Sequence, residues 1–153
     1  DGPKGAALVA SARGGTGAYV NVDVGGVGSS VYDSLAYTMG GVQAVNFGAG
    51  SSEMDKSGKF KFANKRAELY WRLREALDPV TGDGLALPPS DTLKADLCAA
   101  RWALTPRGIQ IEDKDEIKRR IGRSPDEGDA AVLALHPGDS GWLIHGYEPG
   151  EDE

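Results

Sequence analysis

Two aspartates, Asp126 and Asp129, stand three residues apart in the stretch Gly122 to Leu135, Gly-Arg-Ser-Pro-Asp-Glu-Gly-Asp-Ala-Ala-Val-Leu-Ala-Leu. Ser124 suits an N-cap and Pro125 a first helical position, so a helix is predicted to begin here. Both carboxylates then share one face of its first turns, where the helix dipole favours their ionised form. Behind them the apolar run from Ala130 to Leu135 demands burial. Hard divalent cations take oxygen ligands, so a buried helix with two carboxylates at its open end can form the edge of a metal site. First-turn acids of an ordinary capped helix would read the same way. A third carboxylate, Asp23, ends the β-rich run 18–24, where Asn21 and Asp23 share one face and Val20, Val22 and Val24 the other. Open α/β sheets place their ligands at that end of a strand.

Local signals predict the elements that must hold these side chains. Residues 4–13 read as a short helix before the glycines at 14, 15 and 17. The strand 18–24 leads into Gly25-Gly26-Val27-Gly28, then a helix over 29–39 and a second strand over 42–47. Strand, glycine turn, helix and strand make a βαβ unit, expected parallel and right-handed. The turn matches no complete phosphate-binding motif, so it serves either a phosphate or merely close packing of the helix on the sheet. Residues 48–61 are polar and rich in glycine and serine. They read as a mobile surface loop with solvated Glu53 and Asp55 and a local positive charge from Lys56, Lys59 and Lys61. A strong helix follows over 63–77, with an apolar stripe of Leu69, Leu73, Ala76 and Leu77, Tyr70 beside it, and Lys65, Arg66, Arg72 and Arg74 on a solvated face. Ser90 caps a helix expected to run to about Leu104, with Leu93, Leu97, Ala100, Trp102 and Leu104 as its apolar residues. Ile109 and Ile111 mark a strand over 108–112, and 114–121 a basic amphipathic helix. Pro137 ends the last helix. Beyond it, Trp142, Leu143 and Ile144 suggest a final strand before an acidic, partly disordered tail.

Composition narrows the class. The 153 residues fit one domain with a real core, and 40% hydrophobic and 26% charged content are ordinary for a globular protein. No apolar run approaches the ~20 residues that span a bilayer. The single Cys98 excludes an internal disulfide and a cysteine-based zinc site, and its helical setting suggests a buried thiol. His136 and His145 are too few for a histidine-rich site. A net charge of −6 argues against a generally basic nucleic-acid-coating surface. It leaves room for an enzyme that reaches phosphate through metal ions and a local basic patch.

Six stretches in order carry a resemblance: Val22-Asp23-Val24-Gly25-Gly26-Val27-Gly28, Val45-Asn46-Phe47-Gly48, Phe62-Ala63-Asn64-Lys65-Arg66-Ala67-Glu68, Leu85-Ala86-Leu87-Pro88, Ile111-Glu112-Asp113-Lys114-Asp115-Glu116, and Arg119 through Ala130. Together they resemble the C-terminal nuclease domain of the large terminase subunit of tailed bacteriophages, over about residues 18–135. The resemblance implies an α/β fold, a ribonuclease H-like mixed sheet flanked by helices. In that family, acids from separate strands and a C-terminal helix gather around divalent metals. The strand acid falls on Asp23 and the helix acids on Asp129 and Asp126. The family's further Asp, on a first strand well upstream, has no counterpart among the 22 residues before Asp23. The expected organisation is therefore a nuclease domain over 1–137, lacking the family's first strands, and a tail over 138–153.

The function implied by the resemblance is a metal-dependent endonuclease domain of a DNA-packaging terminase, cutting concatemeric double-stranded DNA with Mg²⁺ or Mn²⁺ in the cytoplasm of the bacterial host. Asp23, Asp126 and Asp129 are its expected catalytic metal ligands. Lys114, Arg119, Arg120 and Arg123 are candidate contacts to backbone phosphates, against the alternative of a merely solvated face. Implied partners are double-stranded DNA, the portal protein and the small terminase subunit, with no membrane. Two other readings stay open: a non-catalytic piece that docks on DNA or portal, and a nucleotide-binding α/β domain resting only on the glycine turn.

Overall fold

A computed structural model of the chain describes residues 2–26 and 28–137. Helix α1 (Gly2–Arg13) packs on α2 (Gly28–Thr38), which connects strand β1 (Val20–Asp23) to β2 (Val42–Val45). The two strands pair in parallel, Val20 opposite Val42 and Asp23 opposite Val45, as the βαβ pattern required. At Gly28 the glycine turn serves close packing. A Cβ on Gly28 would lie 1.8 Å from the Asp23 carbonyl oxygen, so only glycine lets α2 start this close to the strand end. Helix α3 (Lys65–Ala76) is capped by Asn64, whose side chain accepts from the Ala67 N–H at 2.9 Å. Its Ala67, Leu69, Trp71 and Leu73 join Val45, Phe62, Ile109, Ile111 and Val132 in the main core.

Helix α4 (Asp91–Ala99) begins at Ser90, as expected, but stops before the predicted end. Ala100 is extended, and Trp102–Thr105 forms β3, paired antiparallel with β4 (Gly108–Ile111). Trp102 and Leu104 are 52% and 58% exposed, on a hairpin rather than in a core stripe. Cys98 is exposed, which corrects the buried thiol expected of it. The mixed sheet is thus divided into a parallel pair and a hairpin. The stretch before α3 joins the hairpin through a parallel bridge between Phe62 and Ile109.

Helices α5 (Lys114–Ile121) and α6 (Asp126–Ala134) complete the described chain, α6 packing on α4, α3 and β1. Of the apolar run in α6 only Val132 is fully buried, and Ala130 and Ala134 face outward. Loop 48–61 is tied down rather than loose. Ser51 Oγ donates to the buried Glu68 at 2.7 Å, the Lys56 N–H to Glu75 at 3.0 Å, and Asp55 gathers Ser57, Lys59 and Phe60. Those bonds hold the Asp55 carboxyl below the ordinary aspartate range, Ser57 contributing most. The proposed final strand and acidic tail, with Trp142, Leu143 and Ile144, lie outside the described residues.

Candidate functional site

Lys114, the first residue of α5, extends its ammonium between the two carboxylates of α6. Its Nζ lies 2.9 Å from Asp126 Oδ1 and 3.1 Å from Asp129 Oδ2. The helix start differs from the sequence reading. Pro125, not Ser124, is the N-cap residue, with no side-chain cap bond, and Ser124 Oγ instead donates to Asp126 Oδ1 at 2.7 Å. The Lys114 and Ser124 bonds hold the Asp126 carboxyl below the usual carboxylate range. Burial pulls the Lys114 ammonium down, but its bonds to Asp126 and Asp129 outweigh this and leave it above the ordinary lysine value.

The other oxygen of Asp129 belongs to α3. Tyr70 donates its hydroxyl to Asp129 Oδ1 at 2.7 Å, and Arg66 Nη2 approaches it at 3.3 Å. Arg66 also donates to the Glu112 carbonyl at 2.7 Å and lies over the Tyr70 ring, 4.7 Å from its centroid. Burial and the neighbouring Asp129 charge push the Tyr70 hydroxyl up, so it stays a proton donor across the physiological range. Sequence reasoning put Arg66 on a solvated face and gave Tyr70 no role. The signal was their i,i+4 spacing, which places both on one flank of the helix.

Asp23 is not brought into a three-acid group with Asp126 and Asp129, and its links to them run through backbone. Its Oδ1 accepts from the Gly25 N–H at 3.0 Å and from the Phe47 N–H at 3.5 Å. The Phe47 carbonyl accepts from the Arg66 N–H at 3.0 Å, and Arg66 in turn holds Asp129. A second tie comes from Asn21, which shares a strand face with Asp23. Its Nδ2 donates to the Leu133 and His136 carbonyls, both at 3.0 Å. The face of β1 that carries Asp23 is therefore the face on which α6 lies.

The basic candidates divide. Lys114 is engaged with the two aspartates. Arg120 is spent on Glu112 and the Ala99 carbonyl, and Arg123 on the buried Asp96 and the Thr92 carbonyl. Arg119, paired with Glu116, keeps a largely exposed side chain. Among the described residues no group of three or more His, Cys, Asp or Glu is placed to hold a metal ion. The pair Asp126 and Asp129 does fit a hard divalent cation in donor chemistry. Both offer carboxylate oxygens, and an ammonium already occupies a cation's position between them.

No protein-family model matches this sequence, and no curated protein sequence matches it. Solved structures do. A mutant nuclease domain of the large terminase subunit of bacterial virus Sf6, solved with manganese and beta-thujaplicinol, superposes with a TM-score of 0.69 at 20% identity, covering 89% of this chain and 73% of that one. The nuclease domain without the mutation gives 0.65 at 23% identity over the same shares, and a calcium-containing mutant gives 0.67 at 22%. Among the described residues no helix is long and apolar enough to cross a membrane. The mixed α/β architecture, a parallel βαβ unit beside a hairpin with flanking helices, is thus the fold of a bacteriophage terminase nuclease domain.

Proposed function

We propose that this chain is the divalent-metal-dependent endonuclease domain of a phage DNA-packaging terminase, hydrolysing the phosphodiester backbone of concatemeric double-stranded DNA. The observation that carries this reading is the convergence of Asp126 and Asp129 on one cation position at the start of α6, a helix tied through Asn21 to the strand that Asp23 ends. Asp126 and Asp129 would hold Mg²⁺ or Mn²⁺ once the Lys114 ammonium withdraws, while Asp23, a ligand by the resemblance alone, is not grouped with them. The ion supplies Lewis acidity toward water and phosphate. The chain supplies the rest. Tyr70 and Arg66 fix one oxygen of Asp129 and so aim the other at the cation position. Lys114, displaced from the pair, remains beside it as a positive charge for a backbone phosphate, and exposed Arg119 offers another. By the same resemblance, the portal protein and the small terminase subunit are partners, and the host cytoplasm during assembly is the setting.

The deciding experiment is nicking of supercoiled plasmid in millimolar Mn²⁺ or Mg²⁺, with Asp129→Asn as control. The parent should cut and the variant lose at least ~10-fold in rate while keeping its fold, because ligand loss weakens metal binding and misplaces the reactive groups. A variant that cuts at the parent rate removes Asp129 from the site. A second reading, a non-catalytic piece that docks on DNA or portal, is favoured by the absence of a three-acid cluster among the described residues. DNA binding by a parent that never cuts in either metal would select it.

A further inference from the structure

We propose that Asp96, on α4, is the positioning residue for the two α6 carboxylates, a role that rests on reading Asp126 and Asp129 as metal ligands. A helix leaves its first N–H groups without intrahelical partners, and a local side chain at the cap position normally accepts one. Here that position is Pro125, which has nothing to offer. Asp96 supplies the cap from another helix. Its Oδ2 accepts from the Glu127 N–H at 3.1 Å and from the Gly128 N–H at 3.2 Å. The side chain is 0% exposed, and its other oxygen is paired with Arg123, on the segment leading into α6.

The contact is reciprocal. Ser90, the N-cap of α4, donates to Glu127 Oε2 at 2.8 Å, so the two helices hold each other's first turns. Gly128 permits the approach, since a Cβ there would lie 2.9 Å from Asp96 Cβ. Glu127 and Gly128 sit between Asp126 and Asp129, so the amides that Asp96 grips are those of the peptide segment spanning the two carboxylates. Their separation is therefore set from α4. Residues that orient metal ligands without touching the metal typically control 10–100-fold in affinity.

The test is calorimetric titration of the whole chain with manganese chloride alone. Asp96→Leu keeps roughly the side chain's volume without an acceptor, and Asp96→Asn keeps one oxygen for the two amides. Both are made with Arg123→Gln, so that no guanidinium loses its carboxylate. The Leu variant should bind Mn²⁺ about 10–100-fold more weakly than parent, and the Asn variant within about threefold of it. In nicking assays the Leu variant should need more Mn²⁺ than Arg123→Gln alone yet approach its rate at saturation, a split that general loosening of the fold would not produce. Equal Mn²⁺ affinity in parent and a folded Leu variant overturns the proposal. Should the Leu variant fail to fold, Gly128→Ala, which leaves every carboxylate in place and presses α4 from α6, should weaken Mn²⁺ binding severalfold, and unchanged affinity overturns it. A parent that binds no Mn²⁺ overturns the metal reading and this role with it, whereas unchanged amide exchange at Glu127 and Gly128 in the Leu variant, measured without metal, overturns the cap alone.

Discussion

Lys114 shows how one side chain can be read two ways until its partners are known. In the sequence it is one cation in a basic run. In the fold its ammonium lies within 3.1 Å of both Asp126 and Asp129 and competes with any metal for them. We predict that Lys114→Ala raises Mn²⁺ affinity severalfold, as calorimetry would register, because two carboxylates left close together without a counter-charge repel each other and recruit a cation more strongly. An unchanged or weaker affinity would show that the metal is held elsewhere. The places of these acids, at the end of β1 and in the first turn of α6, were legible in the sequence, since three-residue spacing and a strand-end position are local patterns. Tyr70, Arg66 and Asp96 were not, because each meets its partner across tertiary contacts that no local window contains.

Among the elements, α5 and the hairpin illustrate the same boundary. The predicted limits of α5 match the observed ones, since its ends are marked by Asp113 and Gly122 in adjacent sequence. The hairpin was missed. Leu93, Leu97, Ala100 and Leu104 continue a helical period, and the competing partner of Trp102, Ile111, lies nine residues on, across the turn. Pairing with β4 and the contact of Trp102 with Trp71, 4.9 Å between centroids, override the local period. Arg120 fastens α5 to Glu112 at the end of this hairpin and holds the Glu112 carboxyl below its ordinary value of 4.5. Its depressed folded-state pKa stabilises the protein above the unfolded value, and that contribution disappears as pH falls through the folded one. Urea denaturation of Glu112→Gln should therefore show a deficit against parent near neutral pH that closes in acid, below about pH 4. A deficit that persists unchanged in acid would locate the effect outside this ion pair.

Across the whole molecule, the parallel pair and the α3–hairpin half meet at α6, and Asn21 is the polar pin between α6 and the pair. Its two bonds span 112 and 115 residues of sequence. Asn21→Ala leaves the Leu133 and His136 carbonyls without that donor, at a cost of about 1–3 kcal/mol in unfolding free energy. Plasmid nicking should fall further than stability explains, because Asp23 and Asp129 lose their common mount. A variant that loses stability yet nicks like the parent would show that Phe47 and Arg66 suffice to connect the two. The order of elements, β3 excepted, and the parallel pair were readable beforehand because each follows from neighbouring residues. Division of the sheet into two pairs was not, since it depends on where Phe62 crosses to Ile109.

The cap that α4 lends to α6 also dictates an order of events during folding. Helix α6 has nine residues, fewer than the ~12–15 at which an isolated helix becomes even marginal in water, and it contains no cap of its own. Its first turn can close only after α4 has formed and docked from 31 residues upstream. The two carboxylates are thus brought to their final separation late, after the α4–α6 contact has closed. Substitutions at Asp96 should accordingly quicken unfolding while leaving the refolding arm of the chevron nearly in place.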